Sequence, residues 1–204
     1  MLCVQDGNYA AALELLSTAN EDAVFGSAYA LGLMAQQGYG CLKNENAAYA
    51  YFVQSSRRGH SVAGYEVAMM LHGLSWRDTT HAEDVRAFCL FRAAARGTEQ
   101  CRPVLHAHHM LGECYLQGRG VAQDNSKALQ KFTQHRELCF AHTDSVQDAL
   151  RLCPRSSLYL GLMYLNGMGV RSSCATAQLY FQDANQGGVS RKIVRSLNAP
   201  ISLP

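Results

Sequence analysis

The sequence predicts an all-α protein built from repeated antiparallel helix pairs, and three observations carry that prediction. The stretch LGECYLQGRGVAQDNSKALQKF, Leu111 to Phe132, has helical periodicity in two halves joined by a glycine turn. The same template returns at other places in the chain. The composition, 48% hydrophobic with only four prolines in 204 residues, provides enough apolar side chains for a sizeable core and argues against long disorder.

Within the template, Leu111, Gly112 and Tyr115 share one helical face, and the glycine admits a close neighbour. Ala128 and Phe132 pair a small residue with a large one at i, i+4. Gly118 and Gly120 supply the positive φ angles that end the first helix, and Asp124 stands where an N-cap is wanted. A second copy carries Leu160, Gly161, Met163, Tyr164, Gly167, Gly169, Val170, Ala177, Phe181, Ala184 and Gly188. Another carries Leu31, Gly32, Met34, Gly38, Gly40, Ala48, Phe52 and Gly59. A weaker one has Val67, Ala68, Met70, Ala87, Phe91, Ala94, Ala95 and Gly97, with an irregular loop in place of the glycine turn.

Taken in order, the first expected helix opens at its cap Asn8 and runs through Ala12 and Leu16, matching only the second half of the template. A helix pair follows from about Gly26 to Gly59, capped by Asn44. The next pair, about Val62 to Gly97, contains the loop HGLSWRDTTHAED, in which Thr80 and Glu83 have capping-box spacing. Trp76, the only tryptophan, lies in this loop, either as an anchor wedged between repeats or as an exposed anchor for a partner. The gap between the aligned phenylalanines widens before the third and fourth copies. The larger insertion, around Leu138 to Arg155, is expected to lengthen or add a helix. Residues 1–188 are read as one repeat array and residues 189–204 as a C-terminal cap and irregular tail.

Residues in this pattern resemble the Sel-1-like repeat family, relatives of the tetratricopeptide repeats. That family runs Leu-Gly-x-Met-Tyr-x-x-Gly-x-Gly-Val, a polar cap, Lys-Ala-x-x-x-Phe and Ala-Ala-x-x-Gly. The resemblance implies a right-handed α-solenoid, since such repeats bury their apolar faces only by stacking.

Chemistry is scarce in the sequence. The Gly-x-Gly pairs lack the Gly-Lys-Ser/Thr of a phosphate loop, and neither His-Glu-x-x-His nor Gly-x-Ser-x-Gly occurs. The expectation is a non-enzyme without catalytic residues or cofactor. A formal net charge of +2 points to no dedicated nucleic-acid or membrane electrostatics. No apolar run reaches the roughly 20 residues of a spanning helix. The chain is expected to be cytoplasmic if complete, and organellar or lumenal if it is a fragment lacking its targeting segment.

Cysteine and histidine offer two alternatives to a plain scaffold. The eight cysteines do not recur at equivalent repeat positions, unlike the cysteine pair in each repeat of secreted family members, so reduced, packed thiols are expected over a disulfide-stapled form. Cys101, His106, His108, His109 and Cys114 crowd the start of the third repeat, and His135, Cys139 and His142 share a helical face. Soft ligands of this kind suit zinc, though neither group has a recognised zinc spacing. A metal-binding or redox-responsive regulatory protein is the alternative function.

Partner binding is the leading expectation. In the related tetratricopeptide repeats, ligands lie on the first helix of each pair, two before, two after and about five after the packing leucine. The resemblance carries those places to Tyr29, Leu33 and Gln36, to Tyr65 and Met69, to His109, Glu113 and Leu116, and to Leu158, Leu162 and Leu165. Trp76 joins them as a further partner contact. Such a concave face suits a partner helix or extended peptide, held by a scaffold or adaptor within a multi-subunit complex. The alternative is that about half of these residues pack between repeats. The segment GVRSSCATA, Gly169 to Ala177, is also similar to the subgroup containing the adaptor of a membrane-associated quality-control ubiquitin ligase.

Overall fold

A computed structural model describes residues 8–24, 26–74, 81–97 and 102–188, excluding the side chains of Leu74 and Arg102. Among these residues there are ten α-helices and no strand: α1 (Tyr9–Glu21), α2 (Ser27–Gln37), α3 (Glu45–Arg57), α4 (Ser61–Leu74), α5 (His81–Ala94), α6 (Arg102–Gln117), α7 (Asn125–Ala141), α8 (Val146–Leu152), α9 (Pro154–Asn166) and α10 (Cys174–Gln186). Trp76, the Thr80 capping position, Cys101 and the tail 189–204 lie outside the described residues. The chain forms two compact units, Met1–Gly97 and Thr98–Pro204.

The first unit pairs α2 with α3 and α4 with α5, with α1 packed on α2 and α3 on α4. In the second, α6 pairs with α7 and α9 with α10, while α7 also packs on α9. Four of the helix starts share one local cause. Side chains of Asn8, Asn44, Asp124 and Ser173 accept from the backbone N–H three residues on, at 3.4, 3.0, 2.9 and 3.3 Å.

One contact explains the Leu-Gly of the template. A β-carbon on Gly32, Gly112 or Gly161 would lie 2.5, 2.6 or 2.6 Å from the ring of Phe52, Phe132 or Phe181, so the first helix of each pair lies directly on the phenylalanine of the second. Phe52 and Phe132 are fully buried as a result. In the weaker pair, Ala68 occupies the glycine's place opposite an equally buried Phe91. The second turn glycine serves stacking: a β-carbon on Gly169 would come within 2.6 Å of the Asn125 carbonyl carbon at the start of α7. Gly40 stands in the same relation to Tyr9 at the start of α1.

The insertion near Leu138 does both things a longer repeat can do. Helix α7 extends to 17 residues, against 13 in α3 and α10, and α8 is added with Ser145 as its cap. Ala149 and Leu150 bury the inner face of α8, which packs on α7 and α10. No helix among the described residues is long and apolar enough to cross a membrane.

Candidate interaction surface and the buried histidine cluster

Whether a side chain on the first helix of a pair is available depends on its angle to the phenylalanine beneath it. The place two residues before the packing leucine points inward in every pair. Tyr29 meets Phe52 with ring centroids 5.7 Å apart, Tyr65 meets Phe91 at 6.0 Å, and His109 meets Phe132 at 5.5 Å. Leu158, with Leu162, belongs to a cluster against which Phe181 packs. Tyr65, His109, Leu158 and Leu162 are therefore buried, and burial pushes the pKa of the Tyr65 phenol and of its half-buried neighbour Glu66 up, so that both resist ionisation.

The remaining places, and the outer part of the inward-turned Tyr29, stay in contact with solvent. Tyr29, Leu33, Gln36, Met69, Glu113 and Leu116 are half-buried, and Leu165 is exposed. In the first unit α2 thus presents Leu33 and Gln36 and α4 presents Met69; in the second, α6 presents Leu116 and α9 presents Leu165. Leu42 in the turn before α3 and Leu179 on α10 are exposed apolar side chains that the repeat template did not single out. Their positions vary between copies, so periodicity carries no signal for them.

The histidines of the third repeat turn inward instead. Nδ1 of His109 and Nδ1 of His135 each lie 2.8 Å from Oγ of the fully buried Ser156. A hydroxyl has one proton to donate, so one imidazole accepts it while the other donates its own N–H to the same oxygen. His106 stacks on His109 with centroids 5.2 Å apart, and Nε2 of His109 stands 3.2 Å from Glu113 Oε1. Burial, then the neighbouring histidines 109, 106 and 108, lowers the pKa of His135 to about 3, keeping this ring neutral.

Cys139 Sγ lies 3.5 Å from His135 Nε2, and hydrogen bonding to Cys153 together with burial pushes its thiol up. Cys41, Cys89, Cys114, Cys139, Cys153 and Cys174 are free thiols. His142 is exposed at the end of α7, away from the buried ring of His135. Among the described residues no group of three His, Cys, Asp or Glu side chains is placed to hold a metal ion. The cluster is organised around a hydroxyl.

Helix pairs of this geometry, stacked by phenylalanine and glycine contacts, define a helical-repeat protein of the kind that works by contact with other macromolecules. Three segments, residues 26–60, 105–130 and 154–189, match the model of the Sel1 repeat. Over these segments the chain is made of Sel1 repeats, and it resembles the Sel-1-like repeat proteins. Its weak copy, α4 with α5, falls between the matched segments. The fold is similar to a Sel1 repeat protein from Oxalobacter formigenes, with a TM-score of 0.67 at 20% identity over 89% of this chain and 66% of that one. It is also similar to c5321, a protective antigen present in uropathogenic Escherichia coli strains, with a TM-score of 0.57 at 18% identity over 92% of this chain and 43% of that one. The chain thus spans less than two thirds of either structure's length. No curated protein matches it in sequence. Sel1 repeats are generally non-catalytic modules of protein–protein interaction.

Proposed function

We propose that the protein is a non-catalytic scaffold or adaptor that holds a helix or extended peptide of a partner on the first helices of its repeats, within a larger complex. The supporting observation is the division of those helices. Tyr65, His109, Leu158 and Leu162 turn into the core, while Leu33, Gln36, Met69, Leu116 and Leu165 keep surface in contact with solvent. Within each unit, the apolar side chains among them are anchors of the kind an amphipathic partner uses. Tyr29 and Glu113, half-buried at the edge of the core, complete the surface.

The test is co-purification with the tagged full chain, comparing the wild type with Leu33→Glu and Leu165→Glu. Both substitutions avoid the contacts under the phenylalanines, so the fold is expected to persist by circular dichroism. A stoichiometric partner retained by the wild type and lost from the folded variants supports this surface. Retention of the partner by both variants overturns it.

A further inference from the structure

A second, separate site lies on the first unit. Val53, Ser56 and Arg57 of α3, Val67 of α4, and Arg86 and Leu90 of α5 line a cavity of about 200 Å³. Val67 is buried, and Val53 and Leu90 are half-buried, so the floor is apolar. Arg57 and Arg86 are exposed and reach the cavity from two different helices. On α4, Val67 lies midway between Tyr65 and Met69 in sequence, which turns it about 160° away from either along the helix. The cavity therefore opens on another side of α4 from the proposed partner surface.

Elsewhere Arg136 pairs with Asp183, Arg151 pairs with Asp148, and Arg58 donates to Asn20. Among the described residues neither Arg57 nor Arg86 forms an ion pair, although Glu83 and Asp84 share α5 with Arg86. Two guanidinium groups lining one small cavity offer an anion there attraction from two helices. Guanidinium forks match the planar, two-oxygen geometry of a carboxylate. The apolar floor selects among anions, because a free phosphate leaves it uncovered while a glutamate side chain brings methylenes to lie on it.

We propose that this cavity binds a glutamate side chain from an acidic segment of a partner protein, its carboxylate held by Arg57 and Arg86 and its methylenes on Val53, Val67 and Leu90. Exposed ion pairs are individually weak. One such contact therefore adds selectivity for acidic sequences to a larger interface.

The experiment follows the methyl resonances of Val53, Val67 and Leu90 in the full chain. The probes are a blocked glutamate–leucine–glutamate tripeptide, its glutamine counterpart and inorganic phosphate. The expected result is saturable shifts with the glutamate tripeptide, and binding at least tenfold weaker with the glutamine peptide and in the Arg57→Gln/Arg86→Gln variant. Both positions are exposed, so an unchanged unfolding midpoint is expected to verify the variant's fold. Absence of saturation, equal binding of the glutamine peptide, or binding undiminished in the folded variant overturns the proposal. Phosphate binding as tight as the peptide's also overturns it, in favour of a free-anion site. Failure here leaves the Leu33 and Leu165 surface standing, since neither residue lines the cavity.

Discussion

Ser156 Oγ lies 2.8 Å from Nδ1 of His135, and the same oxygen holds Nδ1 of His109 at an equal distance. One hydroxyl on α9 thereby ties the α6 and α7 helices of the preceding pair to its own. Ser156→Ala removes the oxygen on which both rings converge and leaves polar nitrogens dry in the interior. The expected loss is about 2 kcal/mol or more, because each unsatisfied buried group costs roughly 1–3 kcal/mol. Urea unfolding at neutral pH measures it; a loss below about 0.5 kcal/mol is incompatible with this role.

The same cluster gives stability a pH dependence of definite sign. His135 has a pKa of about 3 in the folded protein, against an ordinary 6.5. Between these values the unfolded chain binds a proton that the folded one does not. The His135 contribution is therefore constant above about pH 7 and falls as pH drops from 6.5 towards 3. Its slope approaches about 1.4 kcal/mol per pH unit within the window. Unfolding free energies of the wild type and His135→Gln, compared from pH 7 to pH 4, are expected to converge as the solution becomes more acidic.

Gly112→Ala places a β-carbon 2.6 Å from the Phe132 ring, and neither helix of the pair can yield without disturbing its neighbours. Overpacking of this kind costs about 1–3 kcal/mol. Phe132→Leu is destabilising by itself through the space it leaves. In the double variant the two losses are expected to add to less than their sum, and a double-mutant cycle reads the coupling directly. Strict additivity contradicts the contact.

Thiol reactivity is expected to divide the described cysteines into two groups. Cys41, Cys89 and Cys174 are exposed, whereas Cys114, Cys139 and Cys153 are buried. In the native protein a maleimide probe is expected to label the first three at least about a hundredfold faster, since the others react only through opening of the fold. Denaturant removes the difference. Site-resolved mass spectrometry of a labelling time course checks the assignment, and rapid native labelling of Cys139 contradicts it.

The helix pairs were legible because their causes are local. Asn44 and Asp124 cap the helices they precede, Gly38 and Gly167 end theirs with positive φ, and Gly112 recurs opposite Phe132 in a fixed register. The insertion around Leu138 was visible as a break in that register. Its division into a longer α7 and a new α8 depends on where Ala149 and Leu150 find cover.

The candidate surface was less legible. Repeat position names the helix and its face but not the depth to which a side chain sinks, so Leu33 and Leu162 look equivalent in sequence and differ in the fold. Ser156 carried no signal at all, because its importance arises only where α6, α7 and α9 converge. Arg57 and Arg86 likewise look like separate solvated charges until α3 and α5 bring them to one cavity.

The pairing of Gly32 with Phe52, Gly112 with Phe132 and Gly161 with Phe181 closes within single hairpins. Contacts between residues near one another in the chain require little loop-closure entropy before they form, which favours rapid folding. Each hairpin can therefore begin to assemble as soon as its second helix is available, without waiting for distant parts of the chain. During synthesis, an earlier hairpin is then ready to serve as the surface on which the next one settles.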